Sequence, residues 1–145
     1  MRIGLSACAS VVVLTIASAF ATAQKPRSVW DGIYTNAQAS RGQQAFSRSC
    51  AGCHRDDLRG GAEGEPPLTG VNFTAEWDGK TTGALLDLIA TNMPKSNPGS
   101  LPLETSVDIV SFLLKANGMP AGRTDLPADV QELDQIVFTA QPPAR

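Results

Sequence analysis

The five residues Cys50-Ala51-Gly52-Cys53-His54 constrain this 145-residue chain more than any other feature in it. Two thiols at this spacing, with an imidazole directly after the second, form the attachment sequence for c-type haem. Whatever fold the chain takes must therefore wrap a large, flat, apolar group. Each thiol adds to one haem vinyl group, and a turn of helix brings the two sulfurs to the two vinyl positions. His54 then lies under the iron and offers it an imidazole nitrogen. It is the single histidine of the chain, so no other imidazole competes for that place. Other uses of paired cysteines fit less well. Structural zinc takes four ligands, usually from two such pairs, and no second pair exists. A thioredoxin-like dithiol calls for a βαβ setting, which the sequence does not show. A plain Cys50–Cys53 disulfide leaves His54 without a purpose.

The start of the chain indicates an oxidising compartment. Ile3 to Phe20 carries no charge and is mostly apolar, Arg2 supplies one positive charge before it, and Ala21-Thr22-Ala23 has the small-x-small pattern of a cleavage site. Residues 1–23 therefore read as a signal peptide removed on export to a bacterial-type periplasm. The stretch is also just long enough to serve as an uncleaved membrane anchor. A lipid-modified Cys8 is the weaker alternative, because most of the apolar run follows that cysteine. Cleavage takes Arg2 away and leaves 11 cations against 14 acids, or −3 with His neutral. A mildly acidic chain without a basic stretch is a poor nucleic-acid binder. Membrane contact is expected only through partners, unless the N-terminal segment stays in place.

Iron in an electron carrier usually takes a sixth ligand, and a thioether raises its potential. Past the signal segment two methionines remain. Met93 stands in Thr91-Asn92-Met93-Pro94, after an apolar helix and before the Pro/Gly-rich loop Pro94 to Gly99, which suits a ligand held against the open haem face. Met119, in Asn117-Gly118-Met119-Pro120, reads as a hydrophobic plug at a helix end. Met93 is the favoured ligand. As core filler it would leave five-coordinate iron open to small gases or peroxide. On the other side, a ligating histidine donates its second ring N–H to an acceptor, and Pro66-Pro67-Leu68-Thr69-Gly70 is a rigid segment able to return a carbonyl beneath the haem. Trp77 reads as a wall of the haem pocket with an indole N–H free to reach a propionate. An unrelated core role for it is nearly as natural.

Thirteen glycines and ten prolines are too many for a plain bundle and indicate short helices between shaped loops. Residues 24–35 form a lead-in whose Trp30 and Tyr34 are expected to cover the domain surface. A first helix runs from a cap at Thr35 or Asn36 to about Ser49, with Gly42 and Phe46 on one face. Arg55 to Gly70 is a loop whose charges read as solvated. Thr81 to Asn92 forms a helix with Leu85, Leu88 and Ile89 on one side. The most apolar helix follows Ser100 as N-cap, runs about Pro102 to Ala116 and stops at Gly118. Its Ile109, Phe112 and Leu113 are the expected partners of Gly42 and Phe46. Residues 119–145 form a polar C-terminal extension packed on the domain, with one short helix around Ala128 to Val137. No strand alternation is visible.

Gly42-x-x-x-Phe46, Cys50-x-x-Cys53-His54, Pro66-x-Leu68-x-Gly70 and Met93-Pro94 follow in that order, and on them the chain resembles the monohaem class I cytochrome c family over roughly residues 36–118. The resemblance implies an all-α, cytochrome c-like fold of short helices and long loops around one covalently bound haem c. It implies thioether attachment at Cys50 and Cys53, axial ligation by His54 and Met93, and a Pro66 carbonyl orienting the His54 ring. Leu68 joins the cofactor-binding residues on the same grounds, and the first and last core helices are expected to cross near Gly42 and Phe46. Ser28-Val29-Trp30-Asp31-Gly32 and the Asn117-to-Pro120 helix end are similar to small periplasmic cytochromes found with quinoprotein dehydrogenases. The implied role is electron transport without bond chemistry, from a dehydrogenase donor to a terminal oxidase or another cytochrome. A tightly bound subunit of such a complex shares the same chemistry. A peroxidase or gas sensor requires an open iron site, and usually a distal acid/base residue for which no second histidine exists.

Overall fold

A computed structural model describes residues 26–143, so the apolar segment and cleavage site expected in residues 1–23 lie outside the described residues. In chain order the elements are β1 (Arg27–Ser28), α1 (Asn36–Ser49), α2 (Ala51–His54), α3 (Val71–Trp77), α4 (Thr82–Asn92), α5 (Leu103–Ala116), α6 (Val130–Leu133) and β2 (Ile136–Val137). The architecture is the expected all-α one, helices joined by long loops, with a two-stranded parallel pairing as its single sheet among the described residues. No described helix is long and apolar enough to cross a membrane.

α1 and α5 cross at the centre of the molecule. α1 opens on Thr35, whose hydroxyl accepts from the Gln38 N–H at 3.1 Å, satisfying one of the donors a helix start leaves free. Ala39, Gly42, Ala45 and Phe46 recur at helical spacing and are all buried. The crossing is close because Gly42 has no side chain: a Cβ there would sit 1.8 Å from the Asp108 carbonyl oxygen on α5. Four residues on, the Phe46 and Phe112 rings meet with centroids 5.4 Å apart. Arg41 flanks the contact, bonding Asp108 at 2.9 and 3.0 Å and Asp125 at 2.8 Å.

α5 begins later than Ser100 suggests. Pro102 occupies the N-cap without a side-chain bond, while the Ser100 N–H is taken by the Asn97 carbonyl in the preceding turn. Proline suits the entry because its φ is already near the helical value and it has no N–H to leave unpaired. At the other end Gly118 adopts φ +81°. The Met119 N–H reaches the Leu114 carbonyl and the Gly118 N–H reaches that of Lys115, the Schellman pattern that satisfies the last carbonyls of a helix.

The largest departures from expectation lie at the two ends of the described chain. The tail helix is only Val130–Leu133, capped by Asp129, because the next residues become strand. Ile136 and Phe138 are fully buried while Val137 between them is half-buried, a period of two. This strand pairs with Arg27–Ser28 and bridges to Thr81. Phe138 exchanges backbone bonds with the 79–80 turn, donating to Lys80 and accepting from Gly79, both at 2.8 Å. Tyr34, expected to cover the domain surface, packs into it: it is 1% exposed, and its hydroxyl donates to the Met119 carbonyl at 2.6 Å. Trp30 is half-buried and donates its indole N–H to the Thr139 carbonyl. The lead-in and the extension thus strap one side of the helical core.

Candidate functional site

α1 ends at Cys50, whose φ of −125° breaks the helix, and α2 restarts at once. The Cys53 and His54 N–H groups both bond the Cys50 carbonyl, at 3.1 and 3.0 Å. This tight turn sets both thiols and the imidazole on one wall. The chain then turns away sharply at Arg55, with φ +62°, and leaves His54 8% exposed.

The loop from residue 55 to 70 folds back beneath the histidine. Leu58 is buried, and its carbonyl accepts from the Leu68 N–H at 2.8 Å. Gly60 is required here: a Cβ at that position would lie 2.3 Å from the Glu65 carbonyl oxygen, and its φ of +84° suits glycine. The closed loop brings the Pro66 carbonyl oxygen 3.2 Å from His54 Nδ1. A carbonyl can only accept, so Nδ1 carries the ring proton and Nε2 is left with its lone pair. That is the tautomer a metal-ligating histidine needs.

Across the gap, Met93 caps α4, its N–H bonding the Ile89 carbonyl at 3.1 Å. Between the two sides lies a cavity of about 840 Å³. Cys50, Cys53, His54, Pro66, Leu68, Trp77 and Met93 all line it, so the structure brings the seven cofactor-binding candidates together. Met119 is not among the lining residues; it is 3% exposed in the core. The rest of the wall is mostly apolar: Phe46, Phe73, Leu85, Leu88, Ile89, Ile109 and Leu113. Several of these had been legible only as core positions. Periodicity marks a residue as inward-facing and does not tell a core contact from a cavity wall.

Trp77 is 8% exposed, packs beside Phe73 at 6.2 Å between centroids and carries the Lys80 ammonium 5.0 Å above its ring. At the rim stand Arg48, Glu63, Glu65, Glu76 and Lys95. The Glu76 carboxyl is held below its ordinary range by its bond to Lys80. The Cys50 and Cys53 thiols are free. Burial first, and the neighbouring Cys53 second, push the Cys50 thiol up to about 11.

The sequence marked Asn117 only as part of a helix end and gave its side chain no role at the site. Its side-chain amide accepts from the Gly70 N–H at 3.0 Å and donates to the carbonyls of Leu68 at 3.0 Å and Leu113 at 2.9 Å. The available signal was an asparagine directly before a helix-stopping glycine, which marks a helix end and does not say what the side chain reaches.

Two free thiols, an imidazole with its Nε2 available and a thioether border one large apolar cavity, and this donor set fits a covalently attached haem. The site and the fold together define a c-type cytochrome, all-α and holding one haem c. A sequence profile of the family described as cytochrome c oxidase, cbb3-type, subunit III matches residues 37–137, and the chain belongs to that family. Electron transfer is the function the family and the site share. Among solved structures the chain is similar to one from the sulfane dehydrogenase SoxCD of Paracoccus pantotrophus. The identity is 23% and the TM-score 0.49, over 75% of this chain and 61% of that one. No curated protein matches the chain.

Proposed function

We propose that the chain is exported to the periplasm and there carries one electron at a time, from a dehydrogenase of the quinoprotein kind to a terminal oxidase or another cytochrome. The observation that carries this reading is the convergence of Cys50, Cys53, His54 and Met93 on one apolar cavity. In it, Cys50 and Cys53 would hold a haem through two thioether bonds, and His54 Nε2 and the Met93 sulfur would be the protein's ligands to its iron. Bound haem supplies the one-electron Fe(III)/Fe(II) couple. The chain's own residues do the rest. Pro66 fixes the His54 ring by accepting its Nδ1 proton. Leu68, Phe73, Leu85 and Ile89 keep water from the cavity. Trp77 closes the wall, with its indole N–H available to a propionate. Membrane contact comes through the partners once residues 1–23 are removed.

The test is the spectrum of the matured protein and of two variants. The wild type is expected to show the near-infrared band of methionine bound to ferric haem, Met93→Ala to lose it and Met119→Ala to keep it. A wild type that lacks the band and binds carbon monoxide rapidly when reduced sinks both the Met93 assignment and the carrier reading. N-terminal sequencing of periplasmic protein tests the cut after Ala23.

A second reading, a firmly held subunit of a larger complex, draws on one observation: the family description is that of an oxidase subunit. Co-purification with a large complex at high salt would decide for it.

A further inference from the structure

The carbonyl that orients His54 belongs to a loop, and a loop carbonyl is only as well placed as its anchors. Pro66 itself is exposed, so packing does not hold it. Two residues later, Leu68 is held at both ends of its backbone: its N–H by the Leu58 carbonyl at 2.8 Å, its carbonyl by Asn117 Nδ2 at 3.0 Å. Asn117 Oδ1 also takes the Gly70 N–H at 3.0 Å. One amide thus pairs with the loop through a donor and an acceptor at once, which aspartate, lacking a donor, and leucine, lacking both, cannot do. Its second Nδ2 proton goes to the carbonyl of Leu113, a cavity residue on α5. Thr69 adds a longer bond to the Ala116 carbonyl at 3.4 Å.

We propose that Asn117 is a positioning residue for His54: by pinning Leu68 and Gly70 to the end of α5 it holds the Pro66 carbonyl against Nδ1–H and so sets the reduction potential of the haem. The inference rests on His54 being a haem ligand. A carbonyl that accepts the Nδ1 proton makes the imidazole a more basic ligand. A more basic ligand favours the more highly charged, oxidised iron. Loosening the loop weakens that bond, so the potential rises.

The experiment is a redox titration of the matured protein as wild type, Asn117→Leu, Asn117→Ala and Leu126→Ala. Leu126 is 2% exposed in the C-terminal extension and does not line the cavity, so its truncation lowers stability without touching the loop. Asn117→Leu is expected to raise the reduced-to-oxidised ratio at fixed ambient potential by threefold or more, about 28 mV at 59 mV per decade for one electron. Asn117→Ala, which removes the donor to Leu68 and the acceptor for Gly70 without adding a charge, shifts it in the same direction and serves if the leucine variant does not mature. Leu126→Ala lowers the thermal midpoint and leaves the ratio unchanged. An unchanged or lowered potential in the Asn117 variants, beside a wild type that shows histidine and methionine ligation, overturns this inference alone. An equal shift from Leu126→Ala overturns it too. A wild type without that ligation spectrum overturns the ligation reading, and this inference with it.

Discussion

Replacing Gly42 by alanine tests how the two central helices hold the molecule together. The added methyl would lie 1.8 Å from the Asp108 carbonyl oxygen, 2.4 Å from its carbon and 3.0 Å from the Ile109 nitrogen, all backbone atoms of α5. Ordinary contact begins near 3.4 Å, and no rotamer relieves a clash with backbone, so the helices must separate. Separation strips contact from Phe46, Ile109 and Val110, which are at most 2% exposed. Overpacking of this kind costs ~1–3 kcal/mol, and a rigid obstacle puts it at the upper end. Alanine returns ~1 kcal/mol of helix propensity. The expected net loss is ~2 kcal/mol, or roughly 6–12 °C in thermal midpoint for a domain of this size. Far-UV circular dichroism and haem absorbance, followed through thermal unfolding of the matured protein, measure it. Gln43→Ala is the internal control, because Gln43 is exposed on the same helix, and it is expected to change little. A Gly42→Ala protein as stable as wild type, or more so, refutes the close-approach reasoning.

Three further outcomes follow from the same structure. Met119→Ala should cost ~2–5 kcal/mol in guanidinium unfolding, as truncation of a buried side chain does, since Met119 is 3% exposed in the core. Phe138→Ala should cost ~3–5 kcal/mol and also perturb the haem absorption, because Phe138 meets the cavity residue Phe73 edge-on at 5.9 Å between centroids; an unaltered spectrum would show that the strap does not support the cavity wall. The Asp125 carboxyl is held below its ordinary 3.8, first by the Thr35 hydroxyl and then by Arg41. A depressed folded value means this contribution is present above 3.8 and is lost as pH falls through the lowered value. Urea midpoints measured against pH should therefore lose part of their acid slope in Asp125→Asn.

What could be read from the sequence was whatever depends on neighbours in the chain. Cys50 to His54 declares its chemistry within five residues, and the Gly42 and Phe46 face, the α4 face and the Gly118 stop follow from helical period and turn chemistry. The strap escaped notice because Arg27–Ser28 and Ile136–Val137 are two residues each, too short for alternation to rise above chance. Their pairing also spans more than a hundred positions, and nothing local announces it. The depth of Tyr34 was not legible for the same reason: its burial depends on Met119 and Gly122, which the chain brings back much later. Ser100 had the right chemistry for a cap, but the helix starts two residues later, with Pro102 at the N-cap.

The two faces of the cavity are built to different standards, and this bears on how such a site works. On the His54 face the loop is tied at Leu58, at Gly60 through the His54 carbonyl, and at Leu68 and Gly70 through Asn117. On the Met93 face, the bonds recorded after the helix cap are two turns internal to the loop, Asn97 to Pro94 and Ser100 to Asn97, and residues 95–100 are exposed. Local opening is cheapest where backbone bonds face solvent and few apolar contacts must break. Strain or denaturant should therefore free Met93 before it disturbs His54. If His54 and Met93 hold the iron as proposed, a carrier built this way would keep its imidazole fixed and leave to the methionine loop whatever adjustment the change of iron charge demands.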